Sequence, residues 1–197
     1  GLIKEKLIIQ TEEDIKKLKD KKCSEDEVML ELAYNKRLEL KKLYNELELD
    51  INPLVLIQLP SDFKEKEEVQ ANQKDLVLSY LKKKGVKDKE IAIWLSGNEK
   101  KNLELIEKNN NGVNFMLFKV APATGWDCPR ADVLVMFREI NSPSFHTQII
   151  GRIKRMPEGH HYNKGELNKA YIYTNYNKSH IKDIKDIENP NKLPIYF

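Results

Sequence analysis

Asn52-Pro53-Leu54-Val55-Leu56-Ile57-Gln58-Leu59-Pro60 is the stretch on which the fold turns. Four consecutive apolar residues, Leu54 to Ile57, stand between Pro53 and Pro60 with no polar alternation. A strand with one wet face alternates, whereas a strand buried on both faces does not. The run therefore reads as a central strand of a parallel sheet. A charged loop from Asp62 to Glu68 follows, then a helix over about Gln70–Lys84 that Gly85 stops. The next strand is Ile91–Leu95, with Ser96-Gly97-Asn98 at its end.

Further on, the pattern gives a helix over about Lys100–Lys108, a turn at Asn109-Asn110-Asn111-Gly112, and a strand over Phe115–Val120. Val133–Phe137 is the next strand, Ser144–Lys154 suits a helix, and Ala170–Thr174 is a last strand before a polar tail. Upstream, Leu7–Gln10 is a short strand ending in Thr11-Glu12-Glu13-Asp14, a helix cap with an acidic first turn. From Ser24 to about Glu48 runs a long amphipathic helix, in which Met29, Leu32, Ala33, Leu40, Leu43, Tyr44 and Leu47 recur at helical spacing. Strands alternating with helices imply an α/β fold, a mainly parallel sheet with helices on both faces. In such sheets ligands bind at the carboxyl ends of the strands. That directs attention to Gln58, Ser96-Gly97, Lys119 through Asp127, and Arg138 onward.

The totals narrow the function classes. In 197 residues, 40% are apolar, and no run approaches the roughly 20 residues that span a membrane. Two cysteines, Cys23 and Cys128, form neither a disulfide framework nor a zinc pattern, so a cytoplasmic setting is expected. Gly1, where a start Met would stand, suggests an excised fragment or a processed chain. Residues 1–110 carry 22 basic and 23 acidic side chains, a net −1, while residues 111–197 carry 12 and 8, a net +4. Of five arginines only Arg37 lies early, and Arg130, Arg138, Arg152 and Arg155 cluster late in a chain that otherwise uses lysine. Arginine's planar fork grips phosphate or carboxylate through two bonds, as lysine cannot.

Two segments carry chemistry. Ala121-Pro122-Ala123-Thr124-Gly125-Trp126-Asp127-Cys128-Pro129-Arg130-Ala131 lies between two apolar strands. Gly125 permits close backbone approach and Asp127 offers a carboxylate. Some twenty residues on, Gln148, Arg152 and Arg155 fall at i, i+4 and i+7, on one face of the expected helix, and Gly151 leaves room for a neighbour. Two arginines beside a glutamine suit a triphosphate. No acidic residue lies between Asn141 and Pro157, so any carboxylate partner must come from elsewhere.

Gly125-Trp126-Asp127 followed by Gln148-x-x-Gly151-Arg152-x-x-Arg155 resembles motifs V and VI of superfamily 2 helicases and translocases. The nearer likeness is to the Res subunit of type III restriction enzymes and related DEAD/DEAH-box proteins. Asn52 to Pro60 resembles the strand that opens their second RecA-like domain, and Gly1-Leu2-Ile3-Lys4 the stretch leading out of the first. The resemblance implies a Rossmann-like second motor domain over 51–197. Residues 1–50 would be a strand and long helix leading from the first motor domain. It also implies roles. Arg155 is the expected arginine finger and Arg152 a second phosphate ligand, with Gln148 and Gly151 alongside, and Asp127 meets the ribose of ATP with clearance from Gly125. Lys119, Gln58 and Ser96 would contact the nucleic-acid backbone, duplex DNA being favoured. ATP with Mg2+ would be bound mainly by the first RecA-like domain of the same polypeptide, and a modification subunit is a further implied partner.

The chain contains no G-x-x-x-x-G-K-[ST] loop and no apolar strand ending in Asp-Glu, so alone it is expected to be inactive. A nuclease is not evident either. Asp62, Glu65 and Lys66 read as a solvated loop, and His160-His161 as an exposed pair. The competing reading is a stand-alone nucleic-acid-binding or scaffolding module that keeps the fold without ATPase activity.

Overall fold

The computed structural model describes residues 3–60, 67–95, 99–119, 126–137, 148–181 and 187–188. Among them, an eight-stranded sheet runs in the order β4-β3-β5-β2-β6-β7-β1-β8. Its strands are β1 (Lys6–Gln10), β2 (Leu54–Gln58), β3 (Ile91–Trp94), β4 (Lys100–Lys101), β5 (Phe115–Phe118), β6 (Ala131–Met136), β7 (Lys169–Thr174) and β8 (Ile187–Glu188). All pairings are parallel except that of β4 with β3. The fold is α/β and RecA-like, with helices on both faces.

The continuous apolar run behaves as its composition requires. All five residues of β2 are buried, because β5 and β6 flank it and both faces are covered. On one face, Val55, Ile57, Val133, Val135, Phe115 and Leu117 pack against α1 (Glu12–Leu18), α2 (Glu25–Glu46) and α3 (Glu67–Lys83). On the other, Leu54, Leu56, Leu134, Met136, Met116 and Phe118 meet α4 (Gln148–Ile153) together with Ile106, Trp126 and Cys128. Each fully buried Leu, Ile or Val side chain contributes about 1.5–3 kcal/mol relative to exposure, so the two-sided sheet is the main source of stability.

Local signals explain the helix starts. Ser24 accepts from the Glu27 amide, and Glu27 accepts from the Ser24 amide, at 3.2 Å each. At Thr11, the backbone N–H donates to Asp14 Oδ2 at 3.0 Å. The left-handed φ of +80° at Gly85 follows the end of α3.

One expectation needs correction. Residues 100–108 form no helix; Lys100–Lys101 instead pair with β3 as β4. Asn102 explains the change, since its side-chain amide donates to the carbonyls of Asp88 and Ile91 at 3.0 and 2.9 Å. Asn102 and Leu105 then take left-handed φ of 55° and 53°, which no α-helix allows. β1 pairs with β7 through five residues, and α2 packs on β6 and β7.

Candidate functional site

Asp127 lies four residues ahead of β6, and Arg155 lies just after α4. Although 28 positions apart, they meet, with Arg155 Nη1 3.3 Å from Asp127 Oδ2. Both side chains keep substantial exposure, 59% for Arg155 and 44% for Asp127. Next to them, Arg152 Nη1 donates to the Trp126 carbonyl at 3.0 Å. Trp126 is seated in the core beneath, against the α4 face of the sheet. Its indole Nε1 and the second carboxylate oxygen of Asp127 are both buried with no hydrogen-bond partner among the described residues. With two guanidiniums near the same two residues, donor and acceptor capacity is left over there.

The helix expected to carry Gln148, Arg152 and Arg155 on one face is shorter than that. It ends at Ile153, and Arg155 sits in an isolated antiparallel bridge with Ile3. Pairing of the backbone with the lead-in segment replaces the last helical turn. Gly151 is exposed, and a Cβ placed there would meet nothing within 4 Å, so no described element uses the clearance it offers. Gly125, Ser96 and Arg138 lie outside the described residues, as does the side chain of Gln148.

Gln58 and Lys119 form a second group. Gln58 closes β2 and is buried; its Nε2 donates to the Lys119 carbonyl at 3.3 Å, and its Oε1 has no partner among the described residues. These residues follow the carboxyl ends of β2 and β5. Asp127 and Arg155 lie instead toward the amino ends, one ahead of β6 and the other paired to Ile3 ahead of β1. The stretch from Lys119 to Asp127 therefore serves two ends of the sheet and not one.

Residues missed in the sequence reading lie beneath Arg155. Lys4 has a fully buried side chain, with Nζ 2.9 Å from Asp132 Oδ1 and donating to the Ile153 carbonyl. Asp132 Oδ2 accepts from the Tyr44 hydroxyl at 2.9 Å. Burial pushes the Asp132 carboxyl above its usual range, and the Lys4 ammonium opposes that shift. Asp132 could have been flagged as the one charge inside the apolar run Ala131–Met136. Lys4, in a charged stretch, gave no such signal.

Arg130, which clusters with the late arginines, is wholly buried and structural. It donates to the carbonyls of Ile106, Asn52 and Val113 at 2.7–2.9 Å. Cys128 is buried, and desolvation pushes its thiol up to about 12, which argues against a thiolate nucleophile near neutrality. His160 and His161 are exposed; His161 contacts the Ile3 carbonyl at 2.7 Å and Glu5 at 3.4 Å. Among the described residues, no group of three His, Cys, Asp or Glu could hold a metal ion, and no helix is long and apolar enough to cross a membrane. In comparison with known proteins, the chain matches no family model, and no curated protein matches it significantly.

Proposed function

We propose that the chain is the second motor domain of an ATP-driven nucleic-acid helicase or translocase, of the kind found in restriction subunits. The observation that carries this reading is the convergence of Asp127 and Arg155, partly exposed and 3.3 Å apart, with Arg152 on the adjoining Trp126 carbonyl. A carboxylate able to accept from a ribose hydroxyl and a guanidinium able to neutralise a γ-phosphate are both needed where a triphosphate is held between two domains. The unpaired Asp127 oxygen and Trp126 Nε1 supply further capacity at the same place. The first RecA-like domain supplies the phosphate loop and the Mg2+-binding Asp-Glu pair. When ATP binds, Arg155 exchanges Asp127 for phosphate oxygens. Gln58 and Lys119, at the opposite end of the sheet, contact the backbone of duplex DNA without reading its sequence.

The test is Arg155→Ala in the polypeptide that joins this domain to its first motor domain. Nucleic-acid-stimulated ATP hydrolysis should be abolished while ATP binding largely survives; wild-type turnover would sink the reading. A second reading, a binding module without ATPase activity, is favoured by one feature: Arg155 already has an acidic partner within its own chain. Absence of any phosphate loop on the parent polypeptide or its partners would support it.

A further inference from the structure

We propose that Lys4 is a positioning residue for Arg155, and that the lead-in segment Ile3–Glu5 acts as a clamp that sets where this guanidinium stands. The inference rests on the motor-domain reading of Arg155. Two independent contacts join the lead-in to the end of α4. Ile3 forms an antiparallel bridge with Arg155, in which the Lys4 amide donates to the Lys154 carbonyl. The Lys4 ammonium donates to the Ile153 carbonyl, the last residue of α4, and reaches Ala131 O at 3.5 Å.

The ammonium is not a casual surface contact. It is fully buried, and its charge is met at 2.9 Å by Asp132, itself held at 2.9 Å by the Tyr44 hydroxyl. A buried ammonium is stable only where its charge and its donors are all met. Asp132 lies in β6 and Tyr44 in α2, two elements of the rigid core. Lys4 therefore ties residues 153–155 to that core through one side chain. The carbonyls at the end of a helix otherwise lack partners, and here the ammonium supplies one. Arg155 is more than half exposed, so among the described residues its guanidinium is placed by this backbone anchor and by the exposed pair with Asp127. Any displacement of the lead-in would be passed to Arg155 through the same contacts.

The test combines an NMR readout on this chain with kinetics on the longer polypeptide. In the wild-type chain, Asp127→Asn should shift the Arg155 guanidinium signal, assigned through Arg155→Lys. The variant K4M/D132N removes the buried charges together and leaves the Ile153 carbonyl without its donor. H161A removes an exposed contact to the Ile3 carbonyl at 2.7 Å and so loosens the lead-in with little effect on the core. In both variants the response to Asp127→Asn should fall to less than half. A wild-type response in H161A and in folded K4M/D132N would overturn the proposal; should K4M/D132N fail to fold, H161A decides alone. In a polypeptide that carries both motor domains, H161A should lower kcat for ATP hydrolysis severalfold with KM little changed, as loss of positioning does. It should cause no further loss on top of Arg155→Lys, and additive losses would overturn the coupling. If Arg155→Ala leaves hydrolysis intact, the motor reading fails, and the NMR response still decides whether the clamp exists.

Discussion

Arg37 and Arg130, from distant parts of the chain, grip the same residue: Arg130 Nη1 donates to the Asn52 carbonyl at 2.7 Å, and Arg37 Nη2 donates to the Asn52 side-chain oxygen. Arg37 also donates to the Pro53 carbonyl at 3.0 Å. Burial, and then the like charge of Arg130, lower the Arg37 guanidinium from its ordinary value to about 10. These two side chains fix the entry to β2 and saturate carbonyls that no strand reaches. Arg130→Met would leave the Asn52 carbonyl without its donor, while those of Val113 and Ile106 keep weaker ones in Asn52 Nδ2 at 3.4 Å and Cys128 Sγ at 3.6 Å. An orphaned buried carbonyl costs about 1–3 kcal/mol, so urea unfolding should show a loss of stability of at least about 1 kcal/mol. Arg130→Lys should recover only part of this, because the fork geometry is lost. A wild-type midpoint for the lysine variant would contradict the assignment.

Asp127→Asn separates fold from function. The Asp127–Arg155 pair is solvent-exposed, and such pairs contribute about 0–1 kcal/mol. The melting transition of the variant should therefore stay close to wild type. On the proposed motor reading, KM for ATP should rise in a polypeptide that joins this domain to a first motor domain. A large loss of stability would mark the pair as a structural contact.

Lys4→Met alone should behave unlike the paired K4M/D132N replacement. Removing one partner leaves the Asp132 charge buried and uncompensated, which costs about 3–5 kcal/mol, whereas removing both charges costs far less. Chemical denaturation of the two variants compares them directly, and equal destabilisation would count against a buried ion pair.

Cys128 and Cys23 should differ in reactivity. Cys23 is partly exposed, while Cys128 is 1% exposed and its thiol is pushed up to about 12. A raised thiol pKa means less thiolate at any pH below it. Native protein treated with iodoacetamide at pH 8 should carry one adduct by mass spectrometry, and urea-unfolded protein two. Two adducts in the native state would show that Cys128 is accessible.

Lys119→Ala tests the proposed nucleic-acid contact at the carboxyl end of β5. Non-specific affinity for duplex DNA should fall, and the slope of log K against log salt should become shallower by about one phosphate contact. An unchanged slope removes Lys119 from the interface.

The sheet was legible because burial leaves a direct trace in the sequence. Leu54–Ile57 and Val133–Phe137 lack alternation for the physical reason that both faces are dry. The start of α2 was legible in Ser24 and Glu27, whose bonds are local. The 100–108 segment misled because helical spacing says nothing of a side chain such as Asn102 that competes for backbone carbonyls. Asp127 and Arg155 could be singled out, but their meeting depends on a crossover that no spacing reveals. The Lys4–Asp132 pair was hidden for the same reason: its members are distant in the chain, and a buried lysine looks like any other until its partner is known.

The position of β1 bears on how the molecule is made. Leu7 and Ile9 lie in register with Ala170 and Ile172, so β1 has its neighbour in a strand synthesised about 160 residues later. On a ribosome, β2, β3, β5 and β6 can assemble while β1 waits with its backbone groups unpaired. Contacts of such long sequence separation close slowly. Until β7 emerges, the lead-in at Ile3–Glu5 has only part of the structure that holds it, since Glu5 N–H bonds the Asn168 carbonyl just ahead of β7. The arginine that this segment anchors would be the last part of the site to settle during synthesis.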